Sequence, residues 1–407
     1  MHFSIHALCI AITASLSYGV QAAGQAADNF VPEGASGVQQ NALVTANKFM
    51  VAAANPKAVE VGYQVLKEGG SAADAYVAIQ AMLGLVEPQS SGLGGGAFVV
   101  YYDAKQQRIT TFDGRETAPL ASRPELFQDE QGKPLKFYDA VVGGRSVGTP
   151  GTVAVMDTLH KTYGRLSWNH LLQPAIQQAQ SGFEVSPRLS GAITGSQSYL
   201  QRYPDTRAYF LNAQGEAWDS GTLLKNPAYA ETLVTLAKEG GQAFYQGQIA
   251  QDIVSKVRSV EDNPGYLSMQ DFQTYQVKER AATCLPYRQY DICGMGPPSS
   301  GALTVGQILG ITSHFDLAGM GANSATAWQI IGDASRLAFA DRGRYMADTD
   351  YVPLPQGLLD VDYLAERAQL IQPGKALESV NAGDPRWEKA IALADDRPAS
   401  TSRSGRG

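Results

Sequence analysis

Apolar positions in the first well-patterned part of the chain recur with the spacing of an α-helix. Asn55-Pro56 places proline at the first helical position and Gly69-Gly70 ends the pattern, which predicts one helix. Ser71 precedes a second helical pattern that runs to Val86, and Asp74 stands where the acid of a capping box lies. The two patterns predict a helical hairpin.

After Gly94 the apolar spacing changes from helical to that of strands. Residues 97–102 and 108–112 flank a polar turn and predict a β-hairpin. Further helical patterns lie at 151–163, 167–180, 226–238, 248–259 and 324–346, and strand-like patterns at 139–142 and 287–293. Without an internal repeat, these elements predict one compact unit of helices on a sheet, with a helix-rich lobe. The polar residues after Ala394 have no periodicity, so no packed helix or strand is expected there.

The N-terminus has the pattern of a secretory signal peptide. Residues 1–28 contain neither Lys nor Arg, Ala7 to Val20 is nearly all apolar or small, and small residues follow at Ala22 to Gly24. A buried apolar helix is the alternative, since the usual basic residues are missing at the start. We expect residues 1–23 to be the signal peptide and the product to be periplasmic or secreted. No later segment approaches the roughly 18 apolar residues of a membrane span.

Composition and charge narrow the function classes. The 407 residues are 44% hydrophobic, and 32 Lys+Arg against 39 Asp+Glu give a formal net charge of −7. Nucleic acid is not an expected partner, because phosphate binding needs a basic face. Cys9 lies in the leader, and the spacing of Cys284 and Cys293 permits one disulfide without fixing its geometry. No Cys/His cluster exists, so no metal site is expected.

A G-x-S-x-G sequence at Gly144 to Gly148 matches the nucleophile elbow that carries a catalytic serine. An elbow needs a helix directly after Ser146, whereas Thr149-Pro150-Gly151 follows. We therefore interpret this segment as a glycine-rich connection.

The glycine-rich segment Ser90 to Gly96 lies between a predicted helix and a predicted strand. A nucleotide-binding loop has the opposite order, strand before helix, and needs a Gly-Lys-Ser/Thr that this chain lacks. We interpret the segment as a tight turn where backbone passes close to backbone or ligand, since only glycine accepts positive φ freely. Such a turn suits the edge of a cleft.

Arg115 follows the second strand of the predicted hairpin. Held by Glu116 or Asp113, its guanidinium can present two N–H groups to a substrate carboxylate. A surface ion pair is the alternative from the residues alone.

Together these segments resemble the γ-glutamyltransferase (glutathione hydrolase) family, specifically its large subunit. The resemblance extends from about Asn47 to Thr401. It rests on Asn55-Pro56, residues 69–75, residues 87–96, Arg115 to Pro119, Gly148 to Gly151, Lys225 to Pro227, Ala243 to Gly247 and Pro297 to Gly301. It implies an α+β fold with the αββα layers of N-terminal-nucleophile hydrolases and a helix-rich lobe, of which this chain holds the large-subunit portion.

The resemblance also implies the chemistry. Self-cleavage before Thr401 frees the α-amine of Thr401, which serves as base for its own hydroxyl as nucleophile. Arg115 then binds the α-carboxylate of the γ-glutamyl group. The implied substrates are γ-glutamyl small molecules such as glutathione, whose γ-glutamyl group passes to water or an acceptor amine without metal or cofactor.

The sequence departs from the family after Thr401-Ser402. Arg403 stands where the family has His, and residues 404–407 resemble nothing in the small subunit. We expect residues 24–400 to be the large-subunit region and residues 401–407 a truncated start of the small subunit. A reading-frame shift, an early stop or a gene-prediction error would each explain this end, and the chain as written is expected to be inactive. The alternatives are a related N-terminal-nucleophile acylase acting on another amide, and a non-catalytic large-subunit fragment.

Export gives the first testable prediction. Cleavage is expected near Ala22 to Gly24, because small residues there follow the apolar stretch. N-terminal sequencing of the secreted protein measures the cleavage point. Recovery of the chain with Met1 intact in the cytosolic fraction would contradict export.

Overall fold

The structure is a computed structural model that describes residues 43–387. Contacts divide the chain into Met1–Ala46 and Asn47–Gly407. Of the first unit, only residues 43–46 are described, and they form neither helix nor strand. The predicted signal peptide, Thr401 and residues 401–407 lie outside the described residues.

Helices dominate the second unit. They are α1 Pro56–Lys67, α2 Ala72–Val86, α3 Phe137–Val141, α4 Thr152–Tyr163, α5 Trp168–Ser181, α6 Pro187–Leu200, α7 Pro204–Phe210, α8 Pro227–Glu239, α9 Ala243–Gln246, α10 Gln248–Arg258, α11 Met269–Thr274, α12 Gly301–Thr312, α13 Leu317–Met320, α14 Ala325–Tyr345 and α15 Val361–Gln369, with a 3-10 turn at Gln356–Leu359. Within the described range, no helix has the length and apolar character needed to cross a membrane.

The strands form small antiparallel sheets. They are β1 Ala97–Asp103, β2 Arg108–Gly114, β3 Phe183–Glu184, β4 Leu223–Leu224, β5 Lys278–Arg280, β6 Thr283–Tyr287 and β7 Tyr290–Gly294. Strand β2 pairs with β1 on one side and with β5 on the other, and the other sheets are the pairs β3–β4 and β6–β7. Ala97 lies opposite Gly114, so the β1–β2 hairpin is in register to its end.

The predicted helical hairpin is confirmed together with the capping box at its second helix. The Asn55 side chain accepts the N–H of Lys57, and Ser71 and Asp74 form the reciprocal capping box of α2. Asp74 is fully buried and also accepts the backbone N–H of Arg165, which ties the loop after α4 to the start of α2.

Three apolar clusters lie under these elements in the described part of the chain. The largest cluster packs α2, α4, α5 and α8 around fully buried side chains such as Leu85, Met156 and Leu172. A second cluster joins α12, α14 and α15 around Ile330 and Leu337. Phe112 on β2 packs against Val155 and Leu159 on α4, which fixes the three-stranded sheet on that helix.

Two predicted strand segments differ in the structure. Residues 139–142, predicted as a strand, belong mainly to helix α3, because so short an apolar run fits either period. The Asn263 side-chain amide stabilises the end of α3 by donating to the carbonyls of Asp139 at 3.2 Å and Val142 at 2.7 Å. Residues 287–293 fall on the hairpin of β6 and β7, which turns at Arg288 with φ of 56°.

Cys284 and Cys293 form a disulfide across that hairpin. They lie directly opposite each other in the β6–β7 register, with their Cα atoms 4.1 Å apart. The bond that the sequence spacing left open is therefore present.

Residues 374–387 run beside α14 without regular structure of their own. Gln329, Asp333, Asp341 and Tyr345 lie one helical turn or a multiple of it apart on α14, and each bonds to the backbone of this segment. Asp341 is the centre of the contact. Its carboxylate accepts from the backbone N–H of Gly383 at 2.8 Å and, among side chains, from Gln307 at 2.8 Å, Tyr363 at 2.6 Å and Arg367 at 3.2 Å.

Asp341→Ala is predicted to destabilise the fold by about 3–5 kcal/mol, because it leaves the Arg367 charge buried without its partner. Urea unfolding followed by circular dichroism measures the loss. Glu231→Ala, at an exposed position on α8, is the control and should change the free energy of unfolding by less than about 0.5 kcal/mol. Equal effects of the two substitutions would show that the buried pair is not critical.

Candidate functional site

Three separate segments meet where β2 ends. Thr117, just after β2, exchanges two backbone hydrogen bonds with Thr149, of 3.3 and 2.8 Å. The N–H groups of Gly151 and Thr152, at the start of α4, both donate to the Gly95 carbonyl, at 2.9 and 3.1 Å. The glycine-rich loop, the end of β2 and the start of α4 are therefore fixed to one another by main-chain bonds.

Close backbone approach explains the glycines of this junction. A Cβ on Gly151 would lie 2.0 Å from the Gly114 carbonyl oxygen, and a Cβ on Gly96 would lie 2.8 Å from the Glu116 nitrogen. The expected close passage of backbone is confirmed. The expected positive φ is wrong, because none of Gly92, Gly94, Gly95 or Gly96 has it.

The backbone N–H and the carbonyl of Arg115 are both hydrogen-bonded to side chains. Its N–H donates to Asp113 Oδ1 at 3.0 Å, and its carbonyl accepts from the Tyr275 hydroxyl at 2.8 Å. Burial, followed by the charges of Asp113 and Glu116, raises the pKa of Tyr275, so the hydroxyl remains a protonated donor. The exposed guanidinium of Arg115 lies over the Phe98 ring, 5.9 Å from its centroid.

The carboxylates expected to hold the Arg115 guanidinium do not do so. Asp113 uses its second oxygen for Arg280 Nε, at 2.9 Å, and Arg280 in turn holds Asp350 through two bonds of 3.0 and 2.6 Å. Bonding to Arg280 and to Lys278 lowers the pKa of Asp350. Within residues 43–387 the Arg115 guanidinium forms no ion pair, so a surface ion pair does not account for it.

A cleft of about 490 Å³ opens beside Arg115. It is lined by Gly94, Arg115, Glu116, Thr117, Ala118, Pro119, Leu126, Phe127, Arg145, Ser146, Val147 and Gly148. A second cleft of about 440 Å³ shares Gly94 and Glu116 with the first and is lined further by Gln80, Ser90, Ser91 and Thr152.

Ser146 lacks the geometry of a nucleophile elbow. Its hydroxyl is exposed and donates to the Val141 carbonyl at 2.9 Å, and no helix begins before Thr152. The interpretation as a connection therefore agrees with the structure.

The described part of the chain contains no cluster of three metal-ligating side chains. Thr401, the predicted nucleophile, lies outside the described residues.

Sequence reasoning missed Tyr245, which is remote along the chain and supports this junction. Tyr245 accepts the N–H of Ala154 at 3.0 Å and donates to the Pro150 carbonyl at 3.0 Å, which fixes the first turn of α4. Burial raises the pKa of Tyr245, so it too remains a donor. Tyr245 belongs to one of the segments that carry the resemblance, but nothing in the sequence links it to Pro150.

Comparison with known proteins identifies the family. The sequence profile described as Gamma-glutamyltranspeptidase matches residues 58–403. The chain belongs to this family. It is 36% identical over 340 residues to the glutathione hydrolase proenzyme of Bacillus subtilis strain 168, an alignment that covers 83% of this chain and 57% of that protein. The chain thus spans less than two thirds of the length of this relative.

Solved structures agree with the family assignment. The crystal structure of Helicobacter pylori gamma-glutamyltranspeptidase superimposes with a TM-score of 0.80 at 32% identity, covering 84% of this chain and 97% of that one. The predicted α+β fold of N-terminal-nucleophile hydrolases is thereby confirmed. Acylases are also similar to this chain. The acylase ACY 1 proenzyme of Pseudomonas sp. strain V22 is 32% identical over 84% of this chain and 61% of its own length.

Gly151→Ala is predicted to destabilise the fold by at least about 2 kcal/mol, because its Cβ would overlap the Gly114 carbonyl oxygen and the Tyr275 hydroxyl. Thermal unfolding measures the loss. Gly94→Ala is the matched control, since a Cβ there meets no atom within 4 Å. A Gly151→Ala protein as stable as the Gly94→Ala protein would contradict the close approach.

Proposed function

We propose that this chain is the donor-binding part of a γ-glutamyltransferase that cleaves glutathione-like γ-glutamyl compounds. The observation that carries the proposal is Arg115: its backbone is fixed on both sides, and its guanidinium reaches a cleft without an ion-pair partner among the described residues. The glutathione hydrolase proenzymes to which the chain is similar support the same substrate class.

Arg115 binds the α-carboxylate of the γ-glutamyl group. A guanidinium suits this role because two parallel N–H groups match the two oxygens of a carboxylate. The Asp113–Arg280–Asp350 contacts keep the nearest buried carboxylate occupied, so Asp113 does not compete with the ligand for the Arg115 side chain.

Thr401 supplies the nucleophile in this proposal. Self-cleavage hydrolyses the Ser400–Thr401 bond, with water completing the Ser400 carboxylate, and frees the Thr401 amine. This amine accepts the hydroxyl proton as Oγ attacks the γ-carbonyl carbon. The C–N bond of the donor breaks, and the leaving amine takes that proton. Water or an acceptor amine then attacks the γ-glutamyl ester and regenerates the Thr401 hydroxyl.

The active form in this proposal includes the C-terminal region that the longer relatives carry and that forms the small subunit. We further propose that the enzyme is exported, on the basis of the predicted signal peptide. Hydrolysis of a γ-glutamyl anilide by the precursor that joins this chain to such a region tests the activity.

An acylase is the second candidate, because the ACY 1 proenzyme is similar over most of this chain. A glutaryl anilide distinguishes the two functions, since it keeps the terminal carboxylate and lacks the α-amino group. A γ-glutamyltransferase should turn over the γ-glutamyl anilide far faster than the glutaryl one. The reverse preference would support the acylase.

Arg115→Lys is predicted to lower kcat/KM for the γ-glutamyl anilide by at least about tenfold, or about 1.4 kcal/mol, because an ammonium cannot make the paired bonds to the α-carboxylate. Steady-state kinetics of the self-cleaved enzyme measure the loss. Arg123→Lys, at an exposed position outside the cleft, is the matched control. A smaller loss than tenfold at Arg115 would exclude the paired contact.

A further inference from the structure

A second arginine reaches the cleft beside Arg115. Arg145 comes from the segment between α3 and α4 and lines the same cleft of about 490 Å³. It is half-buried, and within residues 43–387 no carboxylate forms an ion pair with its guanidinium. The proposed function assigns a role to Arg115 but none to the charge of Arg145.

The Arg145 side chain is fixed by neutral acceptors. Its Nε donates to Asn263 Oδ1 at 2.6 Å, and its Nη1 donates to the Leu126 carbonyl at 2.9 Å. Asn263 is itself buried and locked, because its amide nitrogen donates to carbonyls at the end of α3. Nη2 has no acceptor in the described part of the chain, so the guanidinium is oriented while its charge stays unpaired.

The backbone before Arg145 is equally constrained. Gly143 has a φ of 121°, and a Cβ on Gly144 would lie 2.1 Å from the Val257 carbonyl oxygen. The N–H groups of Gly144 and Arg145 both donate to the Asn263 carbonyl, at 2.8 and 3.2 Å. This site is built in advance of any ligand, which lowers the cost of ordering a long side chain on binding.

The charges of the cleft lining define its ligand. Arg115 and Arg145 contribute two positive charges and Glu116 contributes one negative charge, in a chain whose formal net charge is −7. A γ-glutamyl peptide with a free C-terminus has the opposite pattern, two carboxylates and one ammonium. A γ-glutamyl anilide has only one carboxylate.

We infer that Arg145 binds the carboxylate at the far end of the donor, on the leaving group, and so selects γ-glutamyl peptides that end in a free carboxylate. This inference rests on the proposed function and deepens it, since Arg115 takes the α-carboxylate. Loss of a charge-assisted bond of this kind is expected to cost about tenfold or more in kcat/KM.

The test compares glutathione with its C-terminal amide, which differs only in that carboxylate. The precursor that joins this chain to the C-terminal region of its relatives is purified after self-cleavage, and released glutamate gives kcat/KM for each substrate. The unaltered enzyme should prefer the free acid by about tenfold or more, and Arg145→Met should bring the ratio of the two values close to one. Because both substrates meet the same preparation, partial misfolding of the variant cancels in the ratio.

Arg123→Met is the matched control. It removes the same charge from an exposed position outside the cleft lining and should leave the preference intact. A full preference retained by Arg145→Met, or no preference in the unaltered enzyme, would overturn the role of Arg145 while glutathione turnover upheld the proposed function. Failure of the unaltered enzyme to release glutamate from either substrate would overturn the proposed function and this inference with it.

Discussion

The close contact between the Gly114 carbonyl and Gly151 is the constraint on which the site depends. It brings the end of β2 against the start of α4, and the Gly95 carbonyl and the Tyr245 hydroxyl then occupy N–H groups of the first turn of α4. A helix N-terminus often binds anions through these donors. Here the N–H groups of Gly151, Thr152 and Ala154 are engaged in holding the junction together, so the positive charge of the cleft lining comes from its arginine side chains.

The carboxylates of Asp113 and Asp350 bond to groups other than the Arg115 guanidinium. Asp113 divides its oxygens between the Arg115 backbone and Arg280, and Asp350 takes the outer side of the Arg280 guanidinium. The same chain therefore uses Arg280 to neutralise a buried acid and leaves Arg115 without an ion-pair partner among the described residues. Acidic residues outnumber basic ones overall, but their placement makes the cleft lining basic.

Local signals in the sequence were sufficient for the elements that frame the site. The helix start at Asn55-Pro56, the cap at Ser71 and the β1–β2 hairpin depend on neighbouring residues, and all were predicted. The segment at 139–142 was predicted as a strand because so short an apolar run fits either period, and the helix that forms instead is completed by Asn263, 121 or more positions away. Tyr275 reaches Arg115 across 160 positions in the same way. Contacts of this length leave no pattern that one sequence can reveal.

Family membership alone does not select a substrate, because gamma-glutamyltranspeptidases and acylases share this fold. Selection has to come from the charges and donors that a particular chain places in its cleft. In this chain the Gly143–Gly144 backbone and Asn263 serve to hold one guanidinium whose charge has no partner among the described residues. Because the Arg145 side chain is already ordered by these neutral acceptors, less conformational entropy is lost when it binds a carboxylate. The roles that we propose for Arg115 and Arg145 would therefore select a donor with a carboxylate at each end over a γ-glutamyl amide with only one carboxylate.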